Sequence, residues 1–138
     1  VHGDYSLTNV MIGKNDPNVI AILDWELSTL GDPCADFNYH CLQYTMNPKL
    51  ADKEYCKAQG IPVIDDYVKM YSEKINIDLT EEWDLYSAYN LFKLAGILQG
   101  ILGRVRDGTA AHENAAERAS GVKNLSDTAW ALVEKNFI

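Results

Sequence analysis

The stretch His2-Gly3-Asp4-Tyr5-Ser6-Leu7-Thr8-Asn9, answered after a turn by Val19-Ile20-Ala21-Ile22-Leu23-Asp24-Trp25-Glu26, decides the reading of this 138-residue chain. Val10-Met11-Ile12 and Val19 to Leu23 are short apolar runs, the second rich in β-branched residues. Between them Gly13-Lys14-Asn15-Asp16-Pro17-Asn18 is dense in turn formers, so the two runs are expected to pair as a β-hairpin. A hairpin brings its outer ends together. Asp4 and Asn9 stand before the first strand and Asp24 closes the second, so all three are expected at one edge. Two carboxylates and one amide oxygen are hard donors, suited to magnesium rather than to zinc or copper.

Working outward, the rest of the chain reads as helical. Asp32-Pro33 suits a helix start, with proline at the first helical position, and a helix is expected over 35–44. Asn47-Pro48 and Gly60-Ile61-Pro62 bound a loop-rich segment with room for one short helix. Tyr67, Met70 and Tyr71 repeat at helical spacing within 65–75. Thr80-Glu81-Glu82 suits the capped, acid-rich opening of a long helix that Gly108 would end. Its middle, from Tyr89 to Leu102, is apolar on nearly every face, which predicts burial at the centre of a helical subdomain. A last helix is expected over 113–136 with a break near Gly121 and a stripe of Leu125, Ala129, Leu132 and Val133.

Composition narrows the possibilities. Hydrophobic residues make up 47% and charged residues 23% of the chain, which is globular rather than disordered composition. Twelve basic against 20 acidic residues give a formal net charge of −8, and such a surface repels phosphate backbones, so no nucleic-acid partner is expected. Cys34, Cys41 and Cys56 form no C-x-x-C pair, which points to reduced thiols rather than a disulfide framework. The longest apolar stretch, Ser87 to Gly103, contains Lys93 and is too short and polar to span a bilayer, so no membrane partner is expected. The sequence opens at Val1 inside a motif, with no targeting segment in view, and is read as a piece of a longer cytoplasmic protein.

The chemistry lies in the spacing. Asp4-x-x-x-x-Asn9 has the spacing of the kinase catalytic loop, in which Asp receives the substrate hydroxyl proton and Asn holds metal. Asp24, after a hairpin, corresponds to the second metal-holding Asp. With Ile22-Leu23-Asp24-Trp25-Glu26 and a helical remainder, the sequence resembles the aminoglycoside phosphotransferase and choline kinase superfamily. The run from Val19 to Pro33, Gly60-Ile61-Pro62 and Phe92 to Ile101 resemble in particular the branch associated with acyl-CoA dehydrogenases, family members ten and eleven of animals.

The resemblance implies an α+β, mostly α fold: a protein-kinase-like C-terminal lobe with a small β-hairpin at the catalytic loop and a helical subdomain behind it. Residues 1–138 would form a single partial domain, with 1–32 as catalytic loop and metal-binding hairpin and 33–138 as the helical substrate side. The N-terminal ATP-binding lobe of such proteins, with its covering loop and phosphate-binding lysine, has no counterpart here. The implied activity is ATP- and Mg²⁺-dependent phosphoryl transfer to the hydroxyl of a small molecule, favouring a hydroxy acid or hydroxyacyl substrate. By the resemblance Asp4 is the catalytic base, Asn9 and Asp24 hold magnesium, His2 braces the loop and Asp36 anchors backbone near the site. An acyl-CoA dehydrogenase fused to the chain or encoded beside it is the implied partner. The rival reading is a non-catalytic fragment or pseudokinase-like binding module, inactive without the first lobe. An open lobe interface would leave apolar surface for self-association.

Several residues carry two readings. Glu26 stands as a supporting site residue against local pairing or solvation. Position six, often basic in this branch, is Ser6. His40 with Cys41 and Cys34 suggests metal, but adjacent helical residues face different sides, which favours core packing for the cysteines. Tyr39, Tyr44, Tyr86 and Tyr89 read as core or pocket wall, and His112 as solvated. Gly96, Gly100 and Gly103 read as a face that lets another helix approach closely. Lys93, Arg104 and Arg106 could meet an anionic substrate or be solvated and ion-paired.

Overall fold

The structure, a computed structural model, describes residues 1–110 and 114–138, without the side chain of Arg118. The expectations for His112 and for a helix opening at Glu113 lie outside the described residues. The chain forms two compact units, Val1–Glu81 and Glu82–Ile138. The expected division at residue 32 concerns role within a single partial domain, whereas these units are defined by packing.

In the first unit the hairpin forms where turn chemistry and apolar runs placed it. Strand β1 (Val10–Ile12) pairs antiparallel with β2 (Val19–Ile22), Val10 opposite Ile22 and Met11 opposite Ala21, with an irregularity between Met11 and Ile12. Asp16 organises the turn by accepting from the backbone and side-chain amides of Asn18 at 3.3 and 2.7 Å. Helix α1 (Pro33–Met46) starts as expected, with Pro33 in the first turn and the Asp32 carboxylate accepting from Cys34 N at 2.8 Å. The loop-rich segment holds two short helices rather than one, α2 (Pro48–Ala51) and α3 (Lys53–Ala58). Asn47 and Asp52 cap them, each accepting backbone N–H groups, and Asp52 is what separates the two. Helix α4 (Ile64–Ile75) ends on Asn76 in the left-handed conformation, φ 55°. It meets α1 through rings: Phe37 stacks on Tyr71 at 3.8 Å and stands edge-on to Tyr67 at 5.2 Å. Cys34, Cys41 and Cys56 are buried, the packing role the sequence favoured.

The second unit is built on helix α5 (Trp83–Arg106), with α6 (Ala115–Arg118) and α7 (Val122–Phe137) packed against it. Helices α5 and α7 run antiparallel, since Asn136 near the end of α7 donates to the Asp84 carboxylate at the start of α5 at 2.8 Å. Ala88, Leu91 and Ala95 repeat at helical spacing on the buried face of α5, and Leu125 and Ala129 on that of α7. The break between α6 and α7 falls at Gly121, as expected.

Three expectations for α5 are corrected. Thr80 does not cap it: Thr80 donates through N and Oγ1 to the Asp78 carboxylate at 2.9 and 2.7 Å, and Glu82 stands at the helix start without a side-chain cap. A local turn thus claims the hydroxyl before the helix can use it. Nor is the helix buried all round. Leu91 is 1% exposed, but Tyr89 and Phe92 are 58% and 70% exposed, because packing within this unit covers one face. Gly96, Gly100 and Gly103 do not lie under another helix, since a Cβ at any of them would meet nothing within 4 Å.

Gly96→Ala and Gly100→Ala are therefore each expected to stabilise the chain by about 0.4–1 kcal/mol, by removing backbone entropy from the unfolded state without a clash. Urea unfolding measures this; destabilisation by either substitution would show that this helix face is covered.

Candidate active site

The site grows from one carboxylate. Asp36, in the first turn of α1, accepts from His2 N at 2.6 Å and Gly3 N at 3.0 Å. Gly3 has φ +83°, and a Cβ there would sit 2.4 Å from the Leu27 carbonyl oxygen, so only glycine fits. His2 is 3% exposed and bonded on both ring nitrogens. Its Nδ1 accepts from Asp4 N at 3.3 Å, which leaves the proton on Nε2 to donate to the Leu23 carbonyl at 2.7 Å. The ring therefore ties the loop of Asp4 to the end of β2 and is committed to structure. Trp25 lies 4.8 Å from the same ring, centroid to centroid, and donates from Nε1 to the Ile22 carbonyl at 2.8 Å.

Asp4 and Asn9 are in contact. The Asn9 side-chain amide donates to the Asp4 carbonyl at 3.0 Å and lies 3.4 Å from Asp4 Oδ2. Both neighbours are acceptors, so this end of the amide must be NH₂, and the amide oxygen faces the other way. The Asn9 carbonyl in turn accepts from Leu23 N at 2.8 Å, which places Asp24 next to the residue paired with Asn9. Asp24 has the left-handed conformation, φ 65° and ψ 56°, uncommon for a residue with a side chain. It precedes the 3₁₀ turn Trp25–Leu27 without capping it through its carboxylate, and it is exposed. Strain held at this point keeps a carboxylate uncommitted at the hairpin's open end.

This donor set fits magnesium: the outward amide oxygen of Asn9 and the uncapped Asp24 carboxylate are hard oxygens, few enough to leave positions for phosphate and water. Among the described residues no three His, Cys, Asp or Glu side chains gather closely enough to hold a metal ion. Glu26 is exposed in the turn after Asp24. The Ser6 hydroxyl pairs with that of Thr8 at 2.7 Å. Arg106 pairs with the neighbouring Asp107 at 3.1 Å, both exposed, the ion-paired alternative for that residue.

Sequence reasoning missed Tyr39 as a site residue. Its hydroxyl hydrogen-bonds the Asp4 carboxylate; burial first, then the Asp4 charge and that bond, raise the phenol above its ordinary value. The available signal was periodicity: Asp36, Tyr39 and His40 share one face of α1. His40 packs 5.4 Å from the Tyr5 ring, and burial lowers its pKa. Tyr67, pushed up to about 12 mainly by burial, lies with its hydroxyl 3.3 Å from His40 Nε2.

The arrangement is one loop carboxylate braced by a helix, beside two further oxygen donors at a hairpin end. The profile of the "Phosphotransferase enzyme family" matches residues 1–89, and the chain belongs to that family. A crystal structure of a candidate aminoglycoside phosphotransferase from Ralstonia eutropha superposes with a TM-score of 0.87 at 40% identity, over 98% of this chain and 42% of that one. The fold is accordingly the mostly helical lobe of a kinase-like enzyme carrying the small hairpin. Acyl-CoA dehydrogenase family member 10 of Mus musculus is 36% identical over 98% of this chain, and member 11 of Homo sapiens 32% identical over 99%. The chain spans only 13% and 18% of the length of those two relatives. No helix among the described residues is long and apolar enough to cross a membrane.

Asp36→Ala would strand the N–H groups of His2 and Gly3 and is expected to cost about 2–3 kcal/mol, because bonds to a charged acceptor are replaced by unsatisfied donors. Chemical denaturation followed by circular dichroism reads this. A loss within about 0.5 kcal/mol, the range of ordinary surface substitutions, would show that the anchor is dispensable.

Proposed function

We propose that the chain is the C-terminal lobe of an ATP- and Mg²⁺-dependent kinase that phosphorylates a hydroxyl group of a small molecule. The observation that supports this reading is the contact of the Asn9 side chain with Asp4 at the hairpin end, where Asp24 follows Leu23, whose N–H bonds the Asn9 carbonyl. Asp4 receives the proton of the acceptor hydroxyl as its oxygen forms a bond to the γ-phosphorus; the bond to the bridging oxygen breaks and its electron pair leaves with ADP. Asn9 keeps its NH₂ on Asp4 and offers its oxygen to the cation, with Asp24 as the second protein ligand. When bound, magnesium neutralises the phosphate charge that an acidic protein would otherwise repel. His2 and Asp36 hold the loop and take no proton from the substrate, and Glu26 supports the exposed side of the Asp24 turn.

The hydroxyl acceptor is inferred to be a hydroxy acid or hydroxyacyl compound. The similarity to acyl-CoA dehydrogenase family members supports that class and a fused or neighbouring dehydrogenase as partner, whereas the Ralstonia structure's description points to an aminoglycoside. The 138-residue chain is proposed to be inactive without a nucleotide-binding lobe, and the full protein is proposed to be cytoplasmic. Its exposed hairpin side chains Met11, Ile12, Val19 and Ile20 favour self-association of the isolated chain.

The test is transfer of the γ-phosphate of ATP to a panel of hydroxy acids, hydroxyacyl thioesters and aminoglycosides, using protein that carries both lobes. Asp4→Asn is expected to lower kcat by about 10²–10⁴-fold. Asp24→Asn is expected to raise the magnesium concentration needed for turnover, and the 138-residue chain alone is expected to transfer nothing. Full phosphotransfer by either variant would overturn the assignment.

A further inference from the structure

Helix α1 lies along the catalytic loop and touches it at successive points. Asp36 takes the N–H groups of His2 and Gly3 at 2.6 and 3.0 Å, and His40 packs 5.4 Å from the Tyr5 ring. Tyr39 shares their helical face, and the loop residue between those contacts is Asp4. We propose that Tyr39 is a positioning residue, whose hydroxyl holds the Asp4 carboxylate in the orientation that receives the acceptor proton. This rests on the reading of Asp4 as the base.

The physical need is specific. A carboxylate on an irregular loop rotates about two side-chain torsions, and a base misdirected by a fraction of an ångström loses much of its effect. The Asn9 amide reaches Asp4 Oδ2 only at 3.4 Å, too long to fix the group alone. The Tyr39 hydroxyl adds a second donor from a regular helix, the rigid side of the site. Its raised phenol stays protonated at neutral pH, so it serves as a donor and does not compete for the substrate proton.

Tyr39→Phe removes the hydroxyl and keeps the ring. In protein with both lobes, with MgATP and water as the acceptor, this variant is expected to lower kcat about tenfold while KM for ATP changes less than about twofold. In an Asp4→Asn background the same substitution is expected to add no further loss, because Tyr39 acts through Asp4. A readout independent of turnover is the ¹³Cζ resonance of Tyr39 in uniformly labelled protein, assigned through correlations from its own backbone amide to its ring. It is expected to shift in Asp4→Asn, and it decides the matter if Tyr39→Phe fails to fold. A kcat within about twofold of the parent, an equal loss in both backgrounds, or an unmoved resonance would overturn the proposal. If Asp4→Asn itself keeps full activity while the resonance shifts, the base assignment has failed and the contact is structural only.

Discussion

The site depends on one carboxylate accepting two adjacent backbone N–H groups. Asp36 fixes the start of the Asp4 loop to α1, and from that point the other bonds follow in order. The His2 ring, carried by the anchored backbone, reaches the Leu23 carbonyl; the Leu23 N–H reaches the Asn9 carbonyl; the Asn9 side chain reaches Asp4. Helix, loop and hairpin thus share one short chain of hydrogen bonds. The buried His2 ring and the glycine-only contact of Gly3 with Leu27 leave this segment few other conformations.

That construction answers a problem of charge. The chain carries a formal net charge of −8 and belongs to a family that handles phosphate. Phosphoryl transfer asks for positioning and local neutralisation rather than covalent chemistry from the protein. In the proposed reaction, a rigid frame built from backbone groups and the His2 ring leaves the oxygens of Asp4, Asn9 and Asp24 for the reacting groups. The left-handed backbone at Asp24 is the one place where the frame holds a side-chain-bearing residue in a costly conformation, and it falls at the carboxylate proposed to hold magnesium.

Much of this was readable from residues alone, for physical reasons that differ by element. Turn chemistry at 13–18 and β-branched residues at 19–22 specify the hairpin locally, and Asp32-Pro33 specifies the start of α1. Where a signal had a nearby competitor it misled. Thr80 bonds back to Asp78, and Asp52 caps a second short helix inside a segment read as loop. The apolar middle of α5 and its glycines describe what that helix could bury, not what packing within its unit covers, so Phe92 and Gly96 stand open. Tyr39 was legible only as core or pocket wall, because one tyrosine among eight carries no pattern of its own; only its spacing from Asp36 marks it.

The central proposal is that oxygens from Asn9 and Asp24 hold one divalent cation beside the base Asp4, and paramagnetic broadening by Mn²⁺ tests it most directly. In two-lobed protein with a non-hydrolysable ATP analogue, substoichiometric Mn²⁺ should broaden the Asn9 side-chain amide and the backbone amides flanking Asp24 before all other resonances. Broadening spread across the acidic surface, with Asn9 and Asp24 spared, would contradict it.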